Sequence, residues 1–267
     1  MLIFASPLFA GVEPNKPPDA NTALQKIPDV NTIVNKANFM AYYQGEDGKA
    51  KVKMTITDKK GRTQQREFII LRKDVKDGGD QKYYVYFLKP PDVRKTVFMV
   101  HKHADLKKDD DRWLYMPALD NVRRIAAGDK RTSFVGSDFL YEDVSGRSLE
   151  EDIHEMVDAN DKLFVVKNVP KRPDTVEFSY YNVSIDRKTF MPMKMQYYDK
   201  NNKLYRVIES KKVEKIQKFP TVVKSIVSDL RTGSTTVMEF SDVKYDIDLK
   251  DIFTERYLRR PPKEARK

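Results

Sequence analysis

The sequence predicts a mainly β, α+β fold. The expected form is a single strongly curved, open antiparallel sheet, a half-barrel of about eleven strands, with helices and a loop covering its apolar concave face. Three observations carry this expectation. Segments that alternate apolar and polar residues recur along most of the 267 residues. Short turn sequences join them in succession, as in a meander. An open antiparallel sheet of that width must also twist and curl, leaving a hollow that something has to cover.

The elements follow in chain order. Met1 to Ala10 (MLIFASPLFA) is apolar and uncharged and ends on a small residue. It has the character of the second half of a secretory signal, so residues 1–18 are expected to be a signal remnant and linker. Val30, Ile33, Val34 and Ala37 fall at helical spacing behind Asp29, an N-cap candidate after Pro28. From Lys49 the period becomes two: Ala50, Val52, Met54 and Ile56 alternate with Lys49, Lys51, Lys53 and Thr55, the pattern of a half-buried strand. Asp58-Lys59-Lys60-Gly61 and Asp77-Gly78-Gly79-Asp80 are turns leading into strands at 65–71 and 83–88. Pro90-Pro91 stops the latter, and strands at 96–101 and 112–116 come next. Between Gly128 and Gly146 the periodicity vanishes in a segment too long and too aromatic for an idle surface loop. Ser148-Leu149-Glu150-Glu151 has a capping-box pattern, and Leu149, Ile153, Met156 and Val157 follow at helical spacing, predicting a second short helix. Six strands complete the chain, at 163–168, 176–185, 191–198, 204–213, 222–230 and 235–245. No repeat or compositional break divides them from the first half, so one domain over 19–260 is expected, with a basic tail at 261–267.

Composition narrows the functional classes. The 50 Lys and Arg against 40 Asp and Glu give a net charge of +10, which favours anionic partners such as phospholipid headgroups. Mean hydropathy is −0.66, and no apolar run approaches the roughly 18 residues of a membrane-spanning helix. The absence of cysteine removes disulfides, thiolate metal sites and the acylated cysteine of a bacterial lipoprotein. Basic residues gather most densely in the tail from Arg256 to Lys267. The aromatics share strands with aliphatics rather than interleaving with the basic residues, which argues against nucleic-acid binding. An outer-membrane barrel is excluded by strands such as 204–209, which carry charge on both faces.

Catalytic candidates are few. The histidines are His101, His103 and His154, and a metallohydrolase would want more of them on later loops. Gly136-Ser137-Asp138 lacks the strand and helix that a nucleophile elbow needs. Methionines and aromatics are more telling. Met191, Met193, Met195 and Tyr197 share one face of one strand, while Trp113 and Tyr115 share a face of another. Methionine adapts to irregular apolar partners, so such stripes fit either core packing or a lipid-accepting cavity.

The block from Trp113 to Ile125 (WLYMPALDNVRRI), with Ser133 to Asp143 (SFVGSDFLYED) after it, resembles the outer-membrane lipoprotein-sorting proteins, a LolA-like family of periplasmic carriers. Asp186 to Lys194 (DRKTFMPMK), Thr232 to Thr236 (TGSTT) and Leu249 to Leu258 continue the likeness, which extends over roughly residues 30–260. The resemblance implies an unclosed, curved sheet around a lidded hydrophobic hollow. It also implies a periplasmic location, no enzymatic activity and no cofactor. The implied cargo is lipid or acylated lipoprotein, and the implied partner an inner-membrane lipid or lipoprotein exporter. On this reading Met54, Ile56, Val85, Phe87, Trp113, Tyr115, Met191, Met193, Met195 and Tyr197 line the cavity. A lid or latch is expected from Arg123, Arg124, Phe134, Ser137, Asp138, Phe139, Tyr141, Glu142 and Asp143. Two other classes remain open at this point: a non-enzymatic adaptor or structural subunit of an envelope lipid-export complex, and a lipid hydrolase using Ser137 or the His101 strand.

Overall fold

The computed structural model describes residues 27–76, 78–105 and 107–266; the expected signal remnant and linker at 1–18 lie outside them. A helix, α1 (Val30–Tyr42), precedes six strands: β1 (Asp47–Thr57), β2 (Thr63–Asp74), β3 (Gln81–Lys89), β4 (Val97–Lys102), β5 (Asp111–Met116) and β6 (Asn121–Arg124). A long irregular stretch containing only the short helix α2 (Tyr141–Ser145) and single 3₁₀ turns leads to seven more. These are β7 (Asp152–Ala159), β8 (Leu163–Pro170), β9 (Phe178–Asp186), β10 (Pro192–Asp199), β11 (Leu204–Ile216), β12 (Phe219–Asp229) and β13 (Ser234–Tyr245). The chain ends with α3 (Arg256–Arg259) and a 3₁₀ turn at Lys263–Ala265.

All thirteen strands form one open, curved antiparallel sheet in the order β6-β5-β4-β3-β2-β1-β13-β12-β11-β10-β9-β8-β7. Every neighbour is also a neighbour in sequence except β1 and β13, which close the two halves from Gly48 opposite Tyr245 to Thr57 opposite Thr235. The two edges, β6 and β7, are therefore consecutive in the chain. Whatever joins them has to cross the open side of the sheet, and this places residues 125–151 over the inner face.

The strand count exceeds the expected eleven by β6 and β7. β6 is a four-residue edge strand with three polar residues and Val122, its Arg124 opposite Trp113. β7 overturns the expected second helix. Ser148 provides no side-chain cap, one 3₁₀ turn follows at Leu149–Glu151, and Asp152 onward pairs with β8. Ile153 and Val157 point to solvent, 59% and 46% exposed, while Met156 packs inward. The apparent helical period was produced by apolar residues on opposite faces of a bulged strand.

Alternation sorts the core into layers. On the inner face Val52, Met54, Phe68, Val85, Phe87 and Phe98 meet Phe134, Phe139 and Tyr141 of the crossing segment. Further along, Ile33, Val34 and Ala37 of α1 lie on Phe164, Val166 and Ile185. The Asp29 carboxylate accepts from the Thr32 N–H at 3.0 Å and so caps α1, as its sequence position predicts. The opposite face of β2–β5 is apolar as well, because the C-terminal stretch covers it: Leu249, Ile252, Phe253, Leu258 and Ala265 bury against Ile69, Leu71, Tyr84, Met99 and Trp113. Asp47 holds the start of this strap by accepting from the N–H groups of Ile247 (2.8 Å) and Leu249 (2.6 Å). Tyr84 Oη donates to the Tyr257 carbonyl (2.7 Å), and His101 Nε2 pairs with that of Phe253 (2.7 Å). The basic tail is thus docked at least to Ala265, which is fully buried.

Candidate functional site

A cavity of about 370 Å³ lies between the inner face, α1 and the crossing segment, within the range of small-molecule sites. Its floor is Met191 with Met193, Met195 and Tyr197 of β10, Ile208 of β11, and Met238 and Phe240 of β13; Phe68, Ile70 and Val85 form the far wall. Met40 and Tyr42 of α1 and Phe134, Phe139 and Val144 of the crossing segment close it from above. Charged and amide groups reach its border at Gln44, Lys49, Arg72, Glu142, Asp143, Arg147, Lys194 and Lys244, and hydroxyls at Ser210, Thr221 and Ser225.

The crossing segment, expected from sequence to be a lid, is anchored in two ways. The first is apolar: Phe134, 1% exposed, sits among Phe87 (5.9 Å between centroids), Phe98 (5.5 Å) and Tyr141 (5.6 Å). Its turn is held internally, since Ser137 Oγ donates to the Phe134 carbonyl (2.7 Å) and Ser133 Oγ to that of Ser137 (2.6 Å). Asp138 ties the turn to β13 by accepting from Ser234 Oγ (2.5 Å) and Thr236 Oγ1 (2.7 Å).

The second anchor is a buried charge network beneath α2. The Glu142 carboxylate, 2% exposed, is paired with Arg131, with Lys130 (3.1 Å) and with Arg147 (3.5 Å). Arg147 also binds Asp152 (2.9 Å) at the start of β7, Arg131 binds Glu177 (2.7 Å), and Arg206 on β11 binds Asp143. Burial alone would raise the Glu142 carboxyl, but the charges of Arg131, Lys130 and Arg147 overcome that and hold it at about 2. Lys102 on β4 donates to the Ser145 carbonyl (2.7 Å) from a site where burial pulls its ammonium down to about 8.

α1 is fixed at the end that meets the cavity. Arg72 donates to the carbonyls of Tyr42 (2.5 Å), Gln44 (2.8 Å) and Gly45 (2.6 Å), satisfying groups that a helix C-terminus leaves open. The Tyr42 ring then lies flush on Gly146 (φ +79°), where an added Cβ would stand 2.6 Å from the ring. Gly146→Ala is expected to push Tyr42 off the lid and to lower stability by about 2 kcal/mol, read as a fall in Tm with faster hydrogen exchange over residues 139–147.

Of the residues nominated from sequence for the cavity wall, the structure brings Val85, Met191, Met193, Met195 and Tyr197 together around the hollow. Met54 and Phe87 lie on the same face but inside the packed cluster beneath Phe134, with Ile56 at its margin. Trp113 and Tyr115 are on the opposite face, under the C-terminal strap. They share a face with each other, as alternation requires, but not with the methionines. Among the lid residues, Phe134, Phe139, Glu142 and Asp143 line the cavity, while Tyr141, Ser137 and Asp138 fix the lid from behind. Arg123 and Arg124 stand apart on β6, exposed, paired with Asp129 (3.4 Å) and Asp111. Of the arginines that hold the crossing segment, Arg131 lies within the stretch 128–146 singled out from sequence, while Arg147 and Arg206 were not nominated. The available signal was Arg206, which alternation sets on the apolar face together with Ile208.

Neither hydrolase candidate adjoins the hollow. Ser137 Oγ is committed to backbone carbonyls, and His101 faces the strap. His154 is bonded to Asn168 (2.7 Å) and to the Leu149 carbonyl (3.0 Å). Among the described residues no group of three or more His, Cys, Asp or Glu could hold a metal, and no helix is long and apolar enough to cross a membrane.

Comparisons with known proteins fit this architecture. A DUF1329 family protein from Desulfovibrio piger is 28% identical, over 86% of this chain and 98% of its own, with a TM-score of 0.77. A Vibrio parahaemolyticus domain described as an outer membrane lipoprotein-sorting protein is 25% identical over 86% and 97%, also at 0.77. A LolA superfamily protein from Nitrosomonas europaea is similar in fold, at 17% identity over 86% and 99% and a TM-score of 0.67. No curated protein matches the chain. A family model described as "-like: Uncharacterized protein" matches residues 79–260, more than half of the chain. The chain therefore belongs to the family of that model, and its fold is LolA-like.

Proposed function

We propose that the protein is an exported, periplasmic carrier that holds lipid, or the acyl chains of a lipoprotein, in the cavity beneath its lid and hands them on towards the outer membrane. The observation that carries this reading is the methionine-floored hollow of about 370 Å³, apolar on its walls and roofed by a segment that has to span the two sheet edges. Each methylene exposed to water costs about 0.8 kcal/mol, so a chain of about 16 carbons costs on the order of 12 kcal/mol in transit. A covered apolar hollow offsets that cost. Methionine suits such a floor, because its unbranched side chain adapts to a guest without a fixed shape. The sorting role named for the Vibrio relative supports the same reading.

The carrier works by binding rather than by catalysis, with an inner-membrane exporter as donor. The lid moves as a unit, pivoting at its junctions with β6 and β7, while the Glu142 network sets how readily it opens. Purified protein is expected to take up a fluorescent fatty acid saturably, at one site, with unlabelled palmitate as competitor. Uptake that does not saturate, or that palmitate does not displace, contradicts the assignment.

A further inference from the structure

The basic C-terminal cluster has no part in the cavity or its lid. The strap bends at Pro261-Pro262 and forms a second, open groove of about 590 Å³ on the outer face. Lys250, Arg256, Arg260, Lys263 and Arg266 line it, against the single carboxylate of Glu264. All five cations are exposed, and among the described residues none forms an ion pair. Arg256 lies only over the Tyr257 ring (6.0 Å), whereas neighbouring Arg259 is held by Asp120 (3.0 Å). The charges are also fixed in place, because Ala265 and Leu258 are buried beneath them and Tyr84 holds the Tyr257 carbonyl. The groove and the cavity lie on opposite faces of the sheet: the Lys49 side chain donates to the Glu264 carbonyl (2.7 Å) on the outer side of β1, while its neighbours Gly48 and Ala50 border the hollow.

We propose that this groove is the surface by which the protein rests on an anionic phospholipid membrane, its guanidinium groups gripping headgroup phosphates. Two observations select that occupant: five exposed cations around one carboxylate, and a predominance of arginine, whose planar fork matches phosphate oxygens. The docking itself does not require the cavity to carry lipid. Its use in loading or release rests on the carrier reading above.

The test is sedimentation of the full chain with phosphatidylcholine vesicles, with and without phosphatidylglycerol. Binding is expected only with phosphatidylglycerol and should weaken as salt rises. Arg256→Gln, Arg260→Gln and Arg266→Gln together should lower the partition coefficient at least about tenfold. Lys59→Gln, Lys60→Gln and Lys203→Gln remove the same charge at the β1–β2 and β10–β11 turns, and should leave the coefficient within about twofold. Equal loss in both triple variants would mean a diffuse field and overturn the assignment. So would absence of binding, competition by dilute glycerol phosphate, which marks a small-anion site, or preference for an acidic peptide over the vesicles. Fatty-acid uptake by the arginine variant is expected to equal that of the parent, so the two readings fail separately.

Discussion

Glu142→Gln is expected to destabilise the protein by about 3 kcal/mol, the cost of removing the one carboxylate that three buried cations share, each of them keeping a second acidic partner. Arg131, Lys130 and Arg147 converge on this carboxylate, and the side chains of Arg131 and Arg147 are themselves 7% and 9% exposed. Glutamine keeps the size and removes the charge. The effect should localise: differential scanning calorimetry gives the loss, and hydrogen exchange should place it in the lid and the start of β7, with β1–β4 protected as before. Acid should mimic the substitution. The carboxyl is held at about 2, below its ordinary 4.5, so its contribution is fully present above about pH 4.5 and is lost as pH falls towards 2. A depression of that size corresponds to on the order of 3 kcal/mol. Stability of the parent relative to Glu142→Gln should therefore shrink over that window, and a difference that stays constant down to pH 2 would refute the network's role.

Filling the hollow should have the largest effect on binding. Met193→Trp with Met195→Trp places two rings where a guest would lie, on side chains that are partly exposed and face the cavity. Excluding even four methylenes removes about 3 kcal/mol, or about 150-fold in affinity. Fatty-acid uptake should fall by at least that factor while Tm changes little, because the substitutions add apolar contacts over a space rather than crowding a packed core. The converse applies at Phe134. Its ring lies wholly inside an aromatic cluster, so Phe134→Ala should cost about 3–5 kcal/mol of stability, and loss of binding there would not isolate the lid's function.

Sheet, helix α1 and the crossing segment were legible because each rests on a local rule. Val52 and Met54 against Lys51 and Lys53 announce a strand with one wet face, and Asp29 behind Pro28 announces a helix start. The Phe134–Tyr141 stretch declared itself by carrying aromatics without a period. The elements that misled are those whose environment is supplied from far away. At Ile153 and Val157 apolar side chains lie on the solvent face of an edge strand, so apolar spacing there reflects no burial. Trp113 and Tyr115 share a face, but alternation cannot say which face. That was decided by Leu249, Phe253 and Leu258, more than a hundred residues away, folding over the outside of β2–β5. The latch was half legible for the same reason: Glu142 and Asp143 lie within the aromatic segment, while their partners Arg147 and Arg206 come from beyond it and from a distant strand.

The most direct test is native mass spectrometry of the protein isolated from the envelope of its own cells, followed by solvent extraction of whatever it carries. The carrier account predicts an acyl-chain-bearing molecule bound one to one in the parent and absent from the Met193→Trp, Met195→Trp variant isolated in parallel. Protein that leaves the envelope with no such molecule, or that carries it equally with the hollow filled, would contradict the claim that this cavity is where the protein does its work.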